Sequence, residues 1–271
     1  MYFKSLLKIS RNIIFTSIGI SILNIITTDN AKASNYPACP AEGSDAASGA
    51  QTQTCTTTPT AMEIKFYELG FCTSDPLSEA DFDNSTCEKA WGSAGGETTD
   101  LASFSYSGLT SATPTKVPSK QYDYAYVVFD PTWGLKGEVY FNGTTYYTDK
   151  NGSVTETSGN SDKFQIKLND IGTGFNNCAT YAANTVYGSV KARLTNNILT
   201  SATDNSSCIA ATRMVGSVEL TTPLVMTDNV KAYQLTWKIK DLGIEATDGG
   251  GSNAPVEWKP GPFVPNFTLD K

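Results

Sequence analysis

The side chains that could do chemistry in this chain are six cysteines and a spread of carboxylates; there is no histidine. Without imidazole, neither a Ser-His-Asp nor a Cys-His arrangement can be assembled, and histidine cannot ligate a metal. A carboxylate pair of the glycosidase kind remains chemically open. The acidic residues are scattered, however, and none stands in an unusual sequence setting. The chain is therefore read as not an enzyme, with no cofactor.

The cysteines are Cys39, Cys55, Cys72, Cys87, Cys178 and Cys208. No two have the C-x-x-C spacing that zinc sites and thioredoxin-type redox chemistry use. An even set in an exported chain reads as three disulfides, with 15 connectivities open to six cysteines. The sequential pairing is favoured: 39 with 55, 72 with 87, 178 with 208. Each pair brackets a polar, turn-rich segment, and short loops close at least entropic cost.

Calcium is the one metal whose ligands are clustered. Asp81 and Asp83 form one group of oxygens, and Asp149 and Asn151 another. Neither group completes a twelve-residue loop ending in a bidentate glutamate, so an EF-hand is excluded. The plainer readings are a solvated acidic turn and a hairpin turn. Asn-x-Ser/Thr triplets begin at Asn84, Asn142, Asn151, Asn205 and Asn266; they accept glycans only in a host with that machinery. Flat aromatic rings near turns are the remaining ligand candidates, because sugar faces stack on them. Trp133, Tyr146, Tyr147 and Trp258 are the weak candidates of this kind, against the commoner fate of core packing.

The elements that must position these residues follow from patterning. Residues 1–33 read as a secretory signal peptide. Lys4, Lys8 and Arg11 precede the apolar run 13–26, and Ala31-Lys32-Ala33 places the cut after Ala33. The run contains Thr16, Ser17, Ser21 and Asn24 and is shorter than the ~20 apolar residues of a spanning helix. Removing this segment takes away four of the 20 basic and one of the 27 acidic residues, which leaves a net charge of −10. Such a chain repels phosphate backbones, so no nucleic acid is expected as a partner. No transmembrane segment is expected in the mature form.

Residues 34–60 read as a polar low-complexity leader unable to give a strand to a core. Residues 61–247 read as one domain. Met62, Ile64 and Phe66 alternate with Glu63 and Lys65. Residues 72–118 look like an insertion with little regular structure, and 78–91 like a short helix capped by Ser78. The run 122–129 places three tyrosines on one face. Asn142-Gly143 between 136–141 and 144–148 is a hairpin signal. Strands are expected over 164–168, 186–194, 214–220 and 233–240, with 201–211 as loop. Residues 248–271 read as a Gly/Pro-rich tail in which Phe263, Pro265, Phe267 and Leu269 alternate as an extended edge segment does.

The expected fold is all-β: an antiparallel β-sandwich or jelly-roll-like domain with irregular disulfide-tied loops. The expected function is a secreted structural or adhesive cell-surface protein, a filament or sheath subunit assembling by strand addition. Its partner would be another copy of itself. The alternative is a monomeric extracellular module that binds surface glycans or another ligand. The location expected is outside the cytoplasm: extracellular, cell surface or periplasmic.

Overall fold

Alternation decides which face of a strand is buried, and the described residues form four antiparallel sheets. The computed structural model describes residues 38–39, 54–102, 115–141, 143–172, 178–185, 188–230, 232–248, 255–261 and 263–270. Ala33 and the whole of 1–33 lie outside the described residues. In chain order the strands are β1 (Thr54–Thr57), β2 (Ala61–Cys72), β3 (Cys87–Asp100), β4 (Gln121–Phe129), β5 (Thr132–Lys136), β6 (Glu138–Phe141), β7 (Thr144–Thr148) and β8 (Val154–Thr155). There follow β9 (Phe164–Lys167), β10 (Thr180–Thr185), β11 (Gly188–Thr195), the helix α1 (Asn205–Ala210), β12 (Arg213–Val225), β13 (Ala232–Lys238), β14 (Ile244–Asp248), β15 (Pro255–Pro260) and β16 (Val264–Asp270).

The large sheet has the order β10-β11-β12-β4-β2-β5-β9, with β3 paired to β2. Three small sheets accompany it: β1-β14-β15, β6-β7-β8 and β13-β16. The chain is thus all-β with antiparallel sheets in a sandwich-like arrangement. One core joins the layers. Met62, Ile64 and Phe66 from β2 share it with Val139 and Phe141 from β6, Ile244 and Ala246 from β14, and Trp258 from β15. The opposite face of the large sheet carries a smaller cluster of Tyr126, Val128, Val215, Cys72 and Leu77. Among the described residues no helix is long and apolar enough to cross a membrane.

The alternating segments fold as their patterns require. Asn142 lies outside the described residues, but β6 and β7 pair from Phe141↔Thr144, and Gly143 has φ +87. Gly152 has φ +77 in the next turn, before β8. Both glycines occupy the left-handed region that side chains resist.

Five expectations change. Residues 54–57, in the segment read as leader, form β1 against β14, and Cys55 and Thr56 are buried. Threonine is tolerated there because its hydroxyl is satisfied: Thr56 Oγ1 donates to the Asp241 carbonyl at 2.9 Å. Residues 72–118 are not mainly irregular, since β3 pairs along β2 from Asp100↔Glu63 to Cys87↔Cys72. That strand is Gly-, Ser- and Thr-rich, so its ladder to β2, rather than its own alternation, defines it. No helix covers 78–91; turns lead from Asp75 to Cys87, where β3 begins. The stretch 201–211 holds α1, opened by a reciprocal cap between Asp204 and Ser207. Finally, Tyr124 and Tyr126 belong to the smaller cluster, but Tyr122 belongs to the main core, 6.0 Å from Phe71 between ring centroids.

Past Asp248 the chain returns to the fold. β15 pairs with β14, and β16 pairs with β13 over Ala232↔Asp270 to Lys238↔Val264. The extended segment expected at the C-terminal end therefore pairs within its own chain.

Candidate functional site

The six cysteines form the bridges Cys39–Cys55, Cys72–Cys87 and Cys178–Cys208, and none is free. This is the sequential pairing favoured from spacing. The first ties the chain beside β1, where Cys39 N–H donates to the Thr56 carbonyl at 2.7 Å. The second closes residues 73–86 into a loop between β2 and β3. That loop lies on the smaller cluster: Phe82 packs 5.2 Å from Tyr126, and Leu77 is buried. Asp75 pairs with Lys191, while Ser201 Oγ donates to the Ala80 carbonyl. The third bridge fastens α1 to the start of β10.

On the same side of the large sheet, a register shift in β2 between Phe66 and Glu68 sets Tyr67 next to Glu68. Tyr67 Oη donates to Asp130 Oδ2 at 3.1 Å, and the Arg213 guanidinium lies 3.5 Å from the Tyr67 ring centroid. Tyr126 Oη donates to Glu68 Oε1 at 2.6 Å, and Lys89 Nζ donates to Glu68 Oε2 at 3.3 Å. Burial pushes both phenols above their ordinary range, helped at Tyr126 by its bond to Glu68 and at Tyr67 by the Asp130 charge, against Arg213. Each carboxylate is occupied by a phenol. The arrangement locks β2, β4 and β12 together and presents no activated nucleophile.

The aromatic candidates separate by strand parity. Trp133 (4 % exposed), Tyr146 (8 %) and Trp258 (3 %) are all in the main core. Trp133 Nε1–H donates to the Asp130 carbonyl at 3.0 Å, and its ring lies 5.9 Å from Phe129 and 5.1 Å from Phe263. None of the three rings is offered to a sugar. Tyr147 is different: it is half-buried and outside both clusters. It stands opposite Glu138 on β6 and Thr155 on β8. Tyr140, opposite Thr145, is on the same face. Sequence reasoning missed Tyr140. The signal was present in Glu138-Val139-Tyr140-Phe141, where burial of Val139 and Phe141 turns Glu138 and Tyr140 outward.

The calcium candidates are turn formers. Asp81 Oδ1 accepts from Ser201 N–H at 2.9 Å, and Asp83 Oδ1 accepts from Ser85 N–H at 2.9 Å, which holds the Asp83 carboxyl low. Asp149 Oδ1 accepts from both Asn151 N–H and Ser153 N–H at 2.8 Å. Asn151 is exposed. Among the described residues, no three cysteine, aspartate or glutamate side chains gather as a metal would require.

No family model matches the chain, and neither a curated protein nor a solved structure matches it.

Proposed function

We propose that this chain is an exported structural or adhesive protein of a cell surface. The observation that carries the reading is the full set of three disulfides, which fasten polar strands and loops to the sheets. Such bridges form and persist outside the reducing cytoplasm. The signal-peptide pattern of residues 1–33 supports the same location. Glu68 and Asp130 each accept a hydrogen bond from a tyrosine and hold strands together.

Within this reading, copies join by strand addition. β13 and β16 make a two-stranded ribbon with no third strand among the described residues. An extended segment of a second copy can pair with either open edge, or β16 itself can exchange between copies. The test uses residues 34–271, purified oxidised and viewed by electron microscopy beside size-exclusion chromatography. Fibres or defined oligomers are expected, and they are lost when residues 264–271 are deleted. The deletion stops there because Phe263 packs against Trp133 and Trp237, and β15 carries Trp258 into the core. A monomer that neither assembles nor adheres to cells contradicts the proposal.

A further inference from the structure

We propose that the outer face of the β6-β7-β8 sheet binds neutral carbohydrate chains, with Tyr140 and Tyr147 as the stacking residues. This inference rests on the adhesive reading and gives it a ligand class.

The face is defined by register. Glu138 stands opposite Tyr147, Tyr140 opposite Thr145, and Tyr147 opposite Thr155. The alternate residues Val139, Phe141 and Tyr146 go into the main core, so Glu138, Tyr140, Thr145, Tyr147 and Thr155 face away from it. Glu138 is exposed and the other four are half-buried. Tyr140 and Tyr147 are diagonal neighbours, a relation that sets Cβ atoms ~7–8 Å apart. Two rings so placed offer successive stacking surfaces.

The composition of the face selects the ligand. Every one of its five side chains carries a hydroxyl or a carboxylate, and none is aliphatic. Glu138 is the one charged residue in β6, β7 and β8. Phosphate and other polyanions gain nothing there and meet a repelling charge. A neutral pyranose fits: its C–H face packs on a tyrosine ring, and its hydroxyls bond to Glu138, Thr145, Thr155 and the phenols. The platform is rigid because both its strands are anchored by core residues on the reverse side.

The test uses the oxidised chain 34–271 in affinity gels containing soluble xylan, mannan, β-glucan or starch, with calorimetry on the polysaccharide that retards it most. At least one is expected to bind. Tyr140→Ala and Tyr147→Ala should each weaken binding by about tenfold, the loss of one stacking contact. Tyr140→Phe and Tyr147→Phe keep the ring and should retain most of the affinity. Cooperative thermal unfolding and intact disulfides show that the variants fold. Three results overturn the proposal: no polysaccharide retards the wild type; the double alanine variant binds as the wild type does; or Tyr140→Ala abolishes self-association, which makes the face a subunit contact. Failure of sugar binding in a protein that is exported and assembles leaves the function proposed above intact. A chain retained in the cytoplasm with free thiols sinks that function without touching the sugar test.

Discussion

Trp133 and Tyr147 show how one step of parity separates a core residue from a surface residue. Both are aromatic and both stand near turns. Trp133 packs among Phe129 and Phe263, and Trp237 lies 5.1 Å from Phe263 in turn. Trp133→Ala therefore empties a shared aromatic core and should cost about 3–5 kcal/mol in a urea titration. Tyr147→Ala, outside both clusters, should cost about 1 kcal/mol or less. Equal losses would mean that the strand faces are assigned wrongly. Tyr122 carries a pH dependence. Burial, with the nearby Glu88 charge, pushes its phenol from 10.0 up to about 12. The folded state thus prefers the neutral ring. Its contribution to stability is complete below pH 10 and lost as pH rises through about 12. Alkaline unfolding in that window, accompanied by tyrosinate absorbance, is expected, and Tyr122→Phe should move it to higher pH. A transition unchanged in the variant would assign it to other groups.

At the scale of elements, α1 depends on its cap. Asp204 accepts from Ser207 N–H at 2.8 Å, and these bonds hold its carboxyl below the ordinary value of 3.8. A depressed folded value means that the stabilisation is present above 3.8 and lost as pH falls through the folded value. Asp204→Ala should therefore destabilise the protein at neutral pH, and the difference from wild type should vanish in acid. A difference that persists undiminished at low pH would show that the cap is not its source. The helix was illegible in the sequence because it is six residues long, and its signal is the cap rather than a hydrophobic stripe. The strands β2, β6, β7 and β9 were legible because buried and less buried side chains alternate along them. β1, β3 and β10 were not. They are short or rich in Gly, Ser, Thr and Ala, and they become strands through the partners they find. Only the pairing of β3 with β2 turns Gly92, Gly95 and Gly96 into part of a strand. The same limit hid the candidate sugar face. Tyr146-Tyr147 drew attention as a dipeptide, yet a strand sends such neighbours to opposite sides. Tyr147 shares its face with Tyr140, its diagonal neighbour across the hairpin.

For the whole molecule, the bridges close separations of 16, 15 and 30 residues. In the chain-entropy account each removes about 3 kcal/mol of unfolded-state freedom, slightly more for the longest loop. Paired serine replacements should lower the unfolding midpoint in each case, with Cys178→Ser/Cys208→Ser losing the most. A pair whose removal changes nothing would show that its loop is already fixed by other contacts. The bridges also join the most polar stretches of the chain to sheets that bury the apolar residues. A protein with 17 % charged residues and no histidine can be held this way outside the cell. The most direct measurement of that claim is the intact mass of the protein recovered after expression of residues 1–271 in a secreting bacterium, with and without thiol alkylation. The account predicts residues 34–271 in the extracytoplasmic fraction, six hydrogens lighter than the reduced chain and unreactive to the alkylating reagent. A full-length chain in the cytoplasm that takes up six alkyl groups would contradict it.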